Sequence, residues 1–136
     1  MGRVSWLFMG ALLLVLGFAA YVRFAPQDAE RWRLTGPMAA LGDHAEAGGF
    51  RAVRAFEGNW GAVEAALLAT PRTRALGGWD EQRLYVTRSA LWGFPDYSTV
   101  RLADGQIESY GRWRCGKSAL GVNQARIRNW LTDLKL

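Results

Sequence analysis

The stretch Thr87–Asn123, TRSALWGFPDYSTVRLADGQIESYGRWRCGKSALGVN, decides how the rest of the chain is read. Within it Asp104-Gly105 is the strongest turn signal, because a two-residue type I′ hairpin needs positive φ at both central positions. Strand-forming runs flank that turn, Tyr97–Ala103 before it and Ile107–Cys115 after it. A third run, Gln82–Leu91, places Leu84 and Val86 on one face and Tyr85 and Thr87 on the other. Gly93-Phe94-Pro95-Asp96 joins Gln82–Leu91 to Tyr97–Ala103: Pro95 fixes φ and Asp96 is placed to bond back to nearby amides. The expectation is a three-stranded antiparallel meander. Alternation along its last strand puts Ile107, Ser109, Gly111, Trp113 and Cys115 on one face and Glu108, Tyr110, Arg112 and Arg114 on the other. One face is therefore apolar, and the other is rich in Arg and Tyr.

Working outward, Asn123 is placed to cap a last helix on which Ile127, Trp130, Leu131 and Leu134 fall at i, i+3, i+4 and i+7. Val122 would pack on Ile127 as a hydrophobic staple. That helix should cover the apolar face of the meander. Upstream, Phe50–Phe56 alternates as a short first strand, and Asn59 caps a helix carrying Trp60, Val63 and Leu67 on one face. Pro71 ends that helix, and the basic turn Arg72-Thr73-Arg74 follows, a possible anion site or simply a solvated helix end. The order is β-α-β-β-β-α: an α+β fold with a small antiparallel sheet covered by helices.

Val4–Val22, VSWLFMGALLLVLGFAAYV, carries no charge and is bounded by Arg3 and Arg23. As a helix it spans about 28 Å, close to the ~30 Å of a hydrocarbon core. Trp6 and Tyr21 sit near its ends, where amphipathic aromatics favour the interface. Gly10 and Gly17 share a face that would admit a neighbouring helix. The alternative is a cleaved signal peptide, but the small residues Gly17 and Ala19 lie inside the apolar run rather than after it. The chain divides into an anchor (1–25), a Pro- and Gly-broken connector (26–49) in which Arg31–Leu34 forms a short extended piece, and a domain (50–136). A very short basic N-terminus before an apolar run is the pattern of a signal anchor. It places the protein as a single-pass component of the cytoplasmic (inner) membrane, with a periplasmic C-terminal domain.

Composition narrows the function classes. The formal charge is +5, and beyond residue 23 the balance is 15 basic residues against 12 acidic, spread along the chain. A nucleic-acid binder clusters its basic residues instead, so the bilayer is the expected partner and nucleic acid is not. One cysteine, Cys115, and one histidine, His44, supply neither a disulfide nor a metal-ligand set, and no cofactor motif is present. Ser89 lacks a nucleophile elbow and a nearby base. Gly121-Val122-Asn123 offers free amides at a helix start. Arg88, Asp96, Arg101, Tyr110, Arg112, Arg114 and Asn123 are the candidates for binding an anion or a partner's carboxylate. The alternative is a set of intrasheet pairs, Asp96 or Glu108 with Arg, that lock the register.

The segments TPRTRALGG (70–78), YVTRSALWGFPDYSTVR (85–101) and GKSALGVNQARIRNWL (116–131) resemble the bacterial DUF1499 family, whose members carry a TRS…GFPDY element and an SDLGVN loop before a closing helix. The resemblance covers Phe50–Leu134. It departs at Ala119, where the family usually has Asp, so a carboxylate near Arg112, Arg114 and Lys117 is lost. The resemblance implies a small, often membrane-anchored protein with no established reaction. Two functions fit the residues. One is a non-catalytic accessory or assembly subunit that binds a larger membrane protein complex, energy-transducing complexes included. The other is a membrane-tethered binding domain or weak enzyme with an Arg-lined pocket for a lipid or small anion. A closed pocket lined by Arg88, Arg101 and Tyr110 would favour the second.

Overall fold

The computed structural model describes residues 2–24, 29–46, 48–91, 93–113 and 120–136, with the backbone alone for 113 and 120–123. Helix α1 (Arg3–Phe24) is followed by a single 3-10 turn (Ala29–Trp32) and strands β1 (Gly42–Glu46) and β2 (Gly49–Ala55). Then come α2 (Trp60–Leu68), β3 (Thr73–Gly78), β4 (Gln82–Arg88), β5 (Pro95–Ala103), β6 (Gln106–Trp113) and α3 (Leu120–Asp133). Among the described residues six strands form one antiparallel sheet in the order β1-β2-β6-β5-β4-β3. The fold is α+β, and β4-β5-β6 is the expected meander. Its β5–β6 hairpin closes through Asp104 (φ 53°) and Gly105 (φ 70°), both in the left-handed region that a type I′ turn requires.

Helices α2 and α3 cover one face of the sheet. Phe50, Ala52, Tyr85, Val100 and Ile107 from the strands pack with Val63 and Leu67 of α2 and Ile127, Trp130 and Leu131 of α3. Asn59 caps α2, its side chain accepting from the Ala62 amide at 3.0 Å. The Trp130 indole donates to the Thr70 hydroxyl at 2.6 Å and ties α3 to the end of α2. At the β2–β6 crossing Gly49 is required by packing, because a Cβ there would lie 2.5 Å from the Gly111 carbonyl oxygen.

Several local expectations change. The segment read as a connector contributes the 3-10 turn, where a short extended piece was expected at Arg31–Leu34, and the edge strand β1. The stretch that begins with the expected basic turn Arg72-Thr73-Arg74 is the other edge strand, β3, with a bulge between Ala75 and Gly77. Helix α3 begins at Leu120, so Asn123 lies within its first turn instead of capping it, and Val122 is not in staple position. The cap is worth only about 1 kcal/mol, which an added helical turn can outweigh. The β4–β5 turn is closed by Ser89 rather than by Asp96: the Ser89 hydroxyl accepts from the Phe94 amide at 2.9 Å, and the Ser89 amide donates to the Phe94 carbonyl at 3.0 Å. Strand β4 stops at Arg88; β6 is described as far as Trp113, and Cys115 lies outside the described residues.

Candidate functional site

The Arg- and Tyr-rich face of the sheet is covered by the segment that follows α1. Trp32 stacks on Tyr97 with ring centroids 4.2 Å apart, over an apolar floor of Leu84 and Val86. Side chains of the sheet then hold the backbone of this strap in place. Thr99 and Arg112 both donate to the Trp32 carbonyl, at 2.7 and 2.6 Å. Gln82 accepts from the Leu34 amide at 2.8 Å and donates to the Leu34 carbonyl at 2.7 Å, as a neighbouring strand would. Arg101 donates to the Gly36 carbonyl at 2.8 Å, and the Ala39 amide donates to Glu108 at 3.1 Å. The strap has no partner strand on this face, so side chains satisfy backbone groups that burial would otherwise leave unpaired.

Two arginines on this face are paired with buried or half-buried carboxylates. Glu108 has no exposed surface and pairs with Arg101 at 2.7 Å and Arg51 at 3.1 Å; Arg51 also reaches Glu46 at 3.1 Å. Arg101 and Glu108 are direct cross-strand partners of β5 and β6, which is the register-locking pair anticipated for Glu108. Burial opposes the Arg51 charge, but Glu108 and Glu46 outweigh it and raise its pKa. The Tyr110 ring lies between two guanidinium groups, Arg51 at 4.2 Å and Arg112 at 4.5 Å from its centroid. Burial, then Glu46, pushes the Tyr110 phenol up. Burial pushes Arg112 down, since it bonds neutral oxygens and stacks on aromatic faces.

The candidates therefore do not share one site. Arg101, Tyr110 and Arg112 come together, but beneath the strap. Asp96 is on the opposite face, where it pairs with Arg126 of α3 at 3.5 Å; burial raises its pKa and Arg126 partly offsets the rise. Arg114 lies outside the described residues, and only the backbone of Asn123 is described. A closed pocket lined by Arg88, Arg101 and Tyr110 does not form among the described residues, because Arg88 serves a different element.

Arg88 meets the end of α1. Its Nη1 donates to the Val22 carbonyl at 3.0 Å and the Gly93 carbonyl at 2.8 Å, and its Nη2 donates to the Arg23 carbonyl at 3.1 Å. Val22 and Arg23 belong to the last turn of α1, whose carbonyls have no partner within the helix. A guanidinium there also complements the negative end of the helix dipole. Phe94 of the β4–β5 turn meets Phe18 of α1 edge-on at 6.1 Å, and Arg23 donates to the Leu91 carbonyl at 3.4 Å. The helix is thus docked on the sheet, not tethered by the chain alone.

Beside this junction is an open cleft of about 260 Å³ lined by Arg23, Arg72, Arg74, Arg88, Thr73 and Ser89, with Val86 and Ala90. Among the described residues no acidic side chain lines it. A second cleft, at Arg33, is by contrast lined by two carboxylates, Asp80 and Glu81, against one guanidinium. Arg72 is fixed at the wall by its Nε, which donates to the Arg88 carbonyl at 2.9 Å. Arg72 and Arg74 were visible in the sequence as a basic turn; their meeting with Arg23 of α1 was not, because no local pattern joins residues some 50 positions apart. Gln82, Thr99 and Arg51, which hold the strap and its charges, were also missed.

Among the described residues no group of three or more His, Cys, Asp or Glu is placed to hold a metal ion. The Ser89 hydroxyl is engaged in its turn, and His44 bonds the Ala40 carbonyl at 2.7 Å. The arrangement offers recognition of anions and of helices, with no assembled nucleophile and base among these residues.

The model of the family described as "Protein of unknown function (DUF1499)" matches residues 43–134, more than half of the chain. The chain belongs to the DUF1499 family. The matched region begins in β1 and ends in the last turn of the chain, so the DUF1499 unit includes all six strands and both covering helices. No curated protein matches the chain.

Proposed function

We propose that this DUF1499 protein is a single-span, non-catalytic accessory or assembly subunit of a larger membrane protein complex. In this reading α1 crosses the cytoplasmic membrane and the domain lies on its periplasmic side. The helix is long and apolar enough to span, and a short basic start followed by an apolar run is the pattern of a signal anchor.

The observation that carries the reading is the docking of α1. A domain that needed only to be kept near a membrane could hang on a loose connector. Here Arg88, Phe94 and Arg23 tie the end of the helix to β4 and its turn, which in this reading sets the domain's height and rotation above the bilayer. Such positioning matters when the domain must register with a neighbour. The helix itself presents nearly its whole circumference outward, and only Val22 is buried by the rest of the chain. A Cβ at Gly10 or Gly17 would meet nothing within 4 Å, leaving a smooth stripe for another helix.

The test is purification of the tagged full chain in mild detergent, with mass spectrometry of what accompanies it. A stoichiometric membrane protein is expected, and its loss when Gly10 and Gly17 are replaced by Leu. A chain that runs alone refutes the accessory role. Orientation is read separately from a Cys115→Ser, Gln106→Cys variant treated with an impermeant thiol reagent. Labelling in intact cells is expected, and labelling only after lysis overturns the periplasmic placement.

A further inference from the structure

The geometry points to the arginine cleft as a binding site for the phosphate headgroup of an anionic membrane lipid. The inference rests on the membrane-spanning reading of α1, but not on any partner complex. Four guanidinium groups from three elements, Arg23 of α1, Arg72 and Arg74 of the α2–β3 region and Arg88 of β4, line a small cleft with no carboxylate among its described lining residues. Among the described residues none of the ion pairs involves Arg23, Arg72 or Arg74. Gathering like charges is unfavourable unless an anion joins them, and planar guanidinium forks match phosphate oxygens. Thr73 and Ser89 also line the cleft, their hydroxyls already engaged by Thr87 and by the Phe94 amide.

Location selects the source of the phosphate. Arg23 is in the last turn of a helix of 22 residues, about 33 Å long, so the cleft sits where a spanning helix leaves the hydrocarbon and meets the headgroups. Leu91, which follows the cleft residue Ala90, is 80% exposed and gives acyl chains an apolar surface beside it. The volume of about 260 Å³ falls below the ~300–1,000 Å³ of sites for drug-sized ligands and suits a headgroup alone.

Native mass spectrometry of the delipidated full chain, titrated with dioleoylphosphatidylglycerol, dioleoylphosphatidylcholine or inorganic phosphate, tests this. One phosphatidylglycerol per chain is expected, preferred at least tenfold over phosphatidylcholine and not displaced by millimolar phosphate. Arg72→Gln with Arg74→Gln should weaken it roughly thirtyfold, the factor expected for two lost surface charges. Arg31→Gln with Arg33→Gln removes the same charge away from the cleft and should leave binding unchanged. Arg23→Gln, outside the folded domain, gives a second variant with roughly fivefold weakening even if the double variant unfolds. Equal binding of the two lipids, equal loss in the Arg31/Arg33 control, no loss in Arg23→Gln, or full displacement by inorganic phosphate would each overturn the assignment. Carbonate extraction of membranes reads the anchor on its own: release of the wild-type chain refutes the span, whereas retention with no headgroup preference refutes the cleft alone.

Discussion

Replacing Arg88 by Ala should uncouple the anchor from the domain. In the intact protein this side chain makes two hydrogen bonds to the terminal carbonyls of α1 and one to Gly93. Bonds to a charged group contribute about 1.5–3 kcal/mol each, and the favourable charge at a helix end another ~0.3–1 kcal/mol. The freed carbonyls are partly accessible to water and regain some of this, so a net loss of about 2–4 kcal/mol in docking is expected. That corresponds to a roughly 30- to 700-fold shift toward the undocked arrangement. The contacts that remain include the Phe18–Phe94 pair, about 0.5–1.5 kcal/mol beyond its area, and the long Arg23–Leu91 bond. Spin labels at Leu14 and Glu81 of a Cys115→Ser chain report the coupling through pulsed electron-electron distance measurement. A narrow distribution is expected for Arg88 and a broad one for Arg88→Ala, with Arg88→Lys between them because an ammonium cannot span all three carbonyls. An equally narrow distribution in Arg88→Ala, with the domain still folded, would refute the argument that this residue fixes the helix.

Three further outcomes concern the domain. Glu108→Ala leaves Arg101, 6% exposed, without its anion and should cost about 3–5 kcal/mol; Glu108→Leu combined with Arg101→Met should recover most of it, and a single-variant cost below about 1 kcal/mol in urea unfolding would contradict a buried network. Gly105→Val forces a β-branched residue to φ near 70° and puts its Cβ 2.7 Å from Glu57 Oε1, so a melting temperature lowered by at least the equivalent of ~1–2 kcal/mol is expected; an unchanged one sinks the type I′ assignment. Carbon-detected NMR titration should find Asp43 titrating below 3.8, held down by its hydrogen bond to Arg54, and Asp96 above 3.8, raised by burial. By linkage, the contribution of Asp43 is present above 3.8 and lost as pH falls through its lowered value, whereas that of Asp96 is lost as pH rises from 3.8 through its raised value. The reverse order of the two titrations would refute the pairings.

What could be read from the chain, and what could not, follows from the kind of interaction that builds each part. The hairpin at Asp104-Gly105, the alternation of β4 to β6, the Asn59 cap and the apolar face of α3 are local patterns, and each appears where its residues place it. Strand β1, GDHAE, contains no strong strand former. It exists because it pairs with β2 and because Asp43 meets Arg54 and Arg128 while Glu46 meets Arg51, contacts between residues up to 85 positions apart. Strand β3 carries two glycines and a bulge and depends in the same way on β4. Strand preference on an edge is set largely by such neighbours, so composition alone reads both segments as loops.

The polar sheet face makes the sharper case. Alternation identifies it correctly, since Tyr110, Arg112 and Arg101 do share that side of the sheet. Alternation cannot say what lies on top, and the cover here is an irregular strap with no period of its own. Gly36 and Pro37 interrupt helix and sheet alike, yet the strap needs neither. It needs donors and acceptors facing it, which Gln82, Thr99, Arg101, Glu108 and Arg112 supply. Of the arginines that looked available for a ligand, Arg101 and Arg112 are consumed in holding the strap. The cationic surface left for recognition has moved to the junction where α1, the α2–β3 region and β4 converge. A binding surface assembled that way belongs to the docked arrangement of helix and domain. If Arg88→Ala releases the helix, Arg23 leaves the cleft with it, and headgroup selectivity should fall together with the narrow spin-label distance.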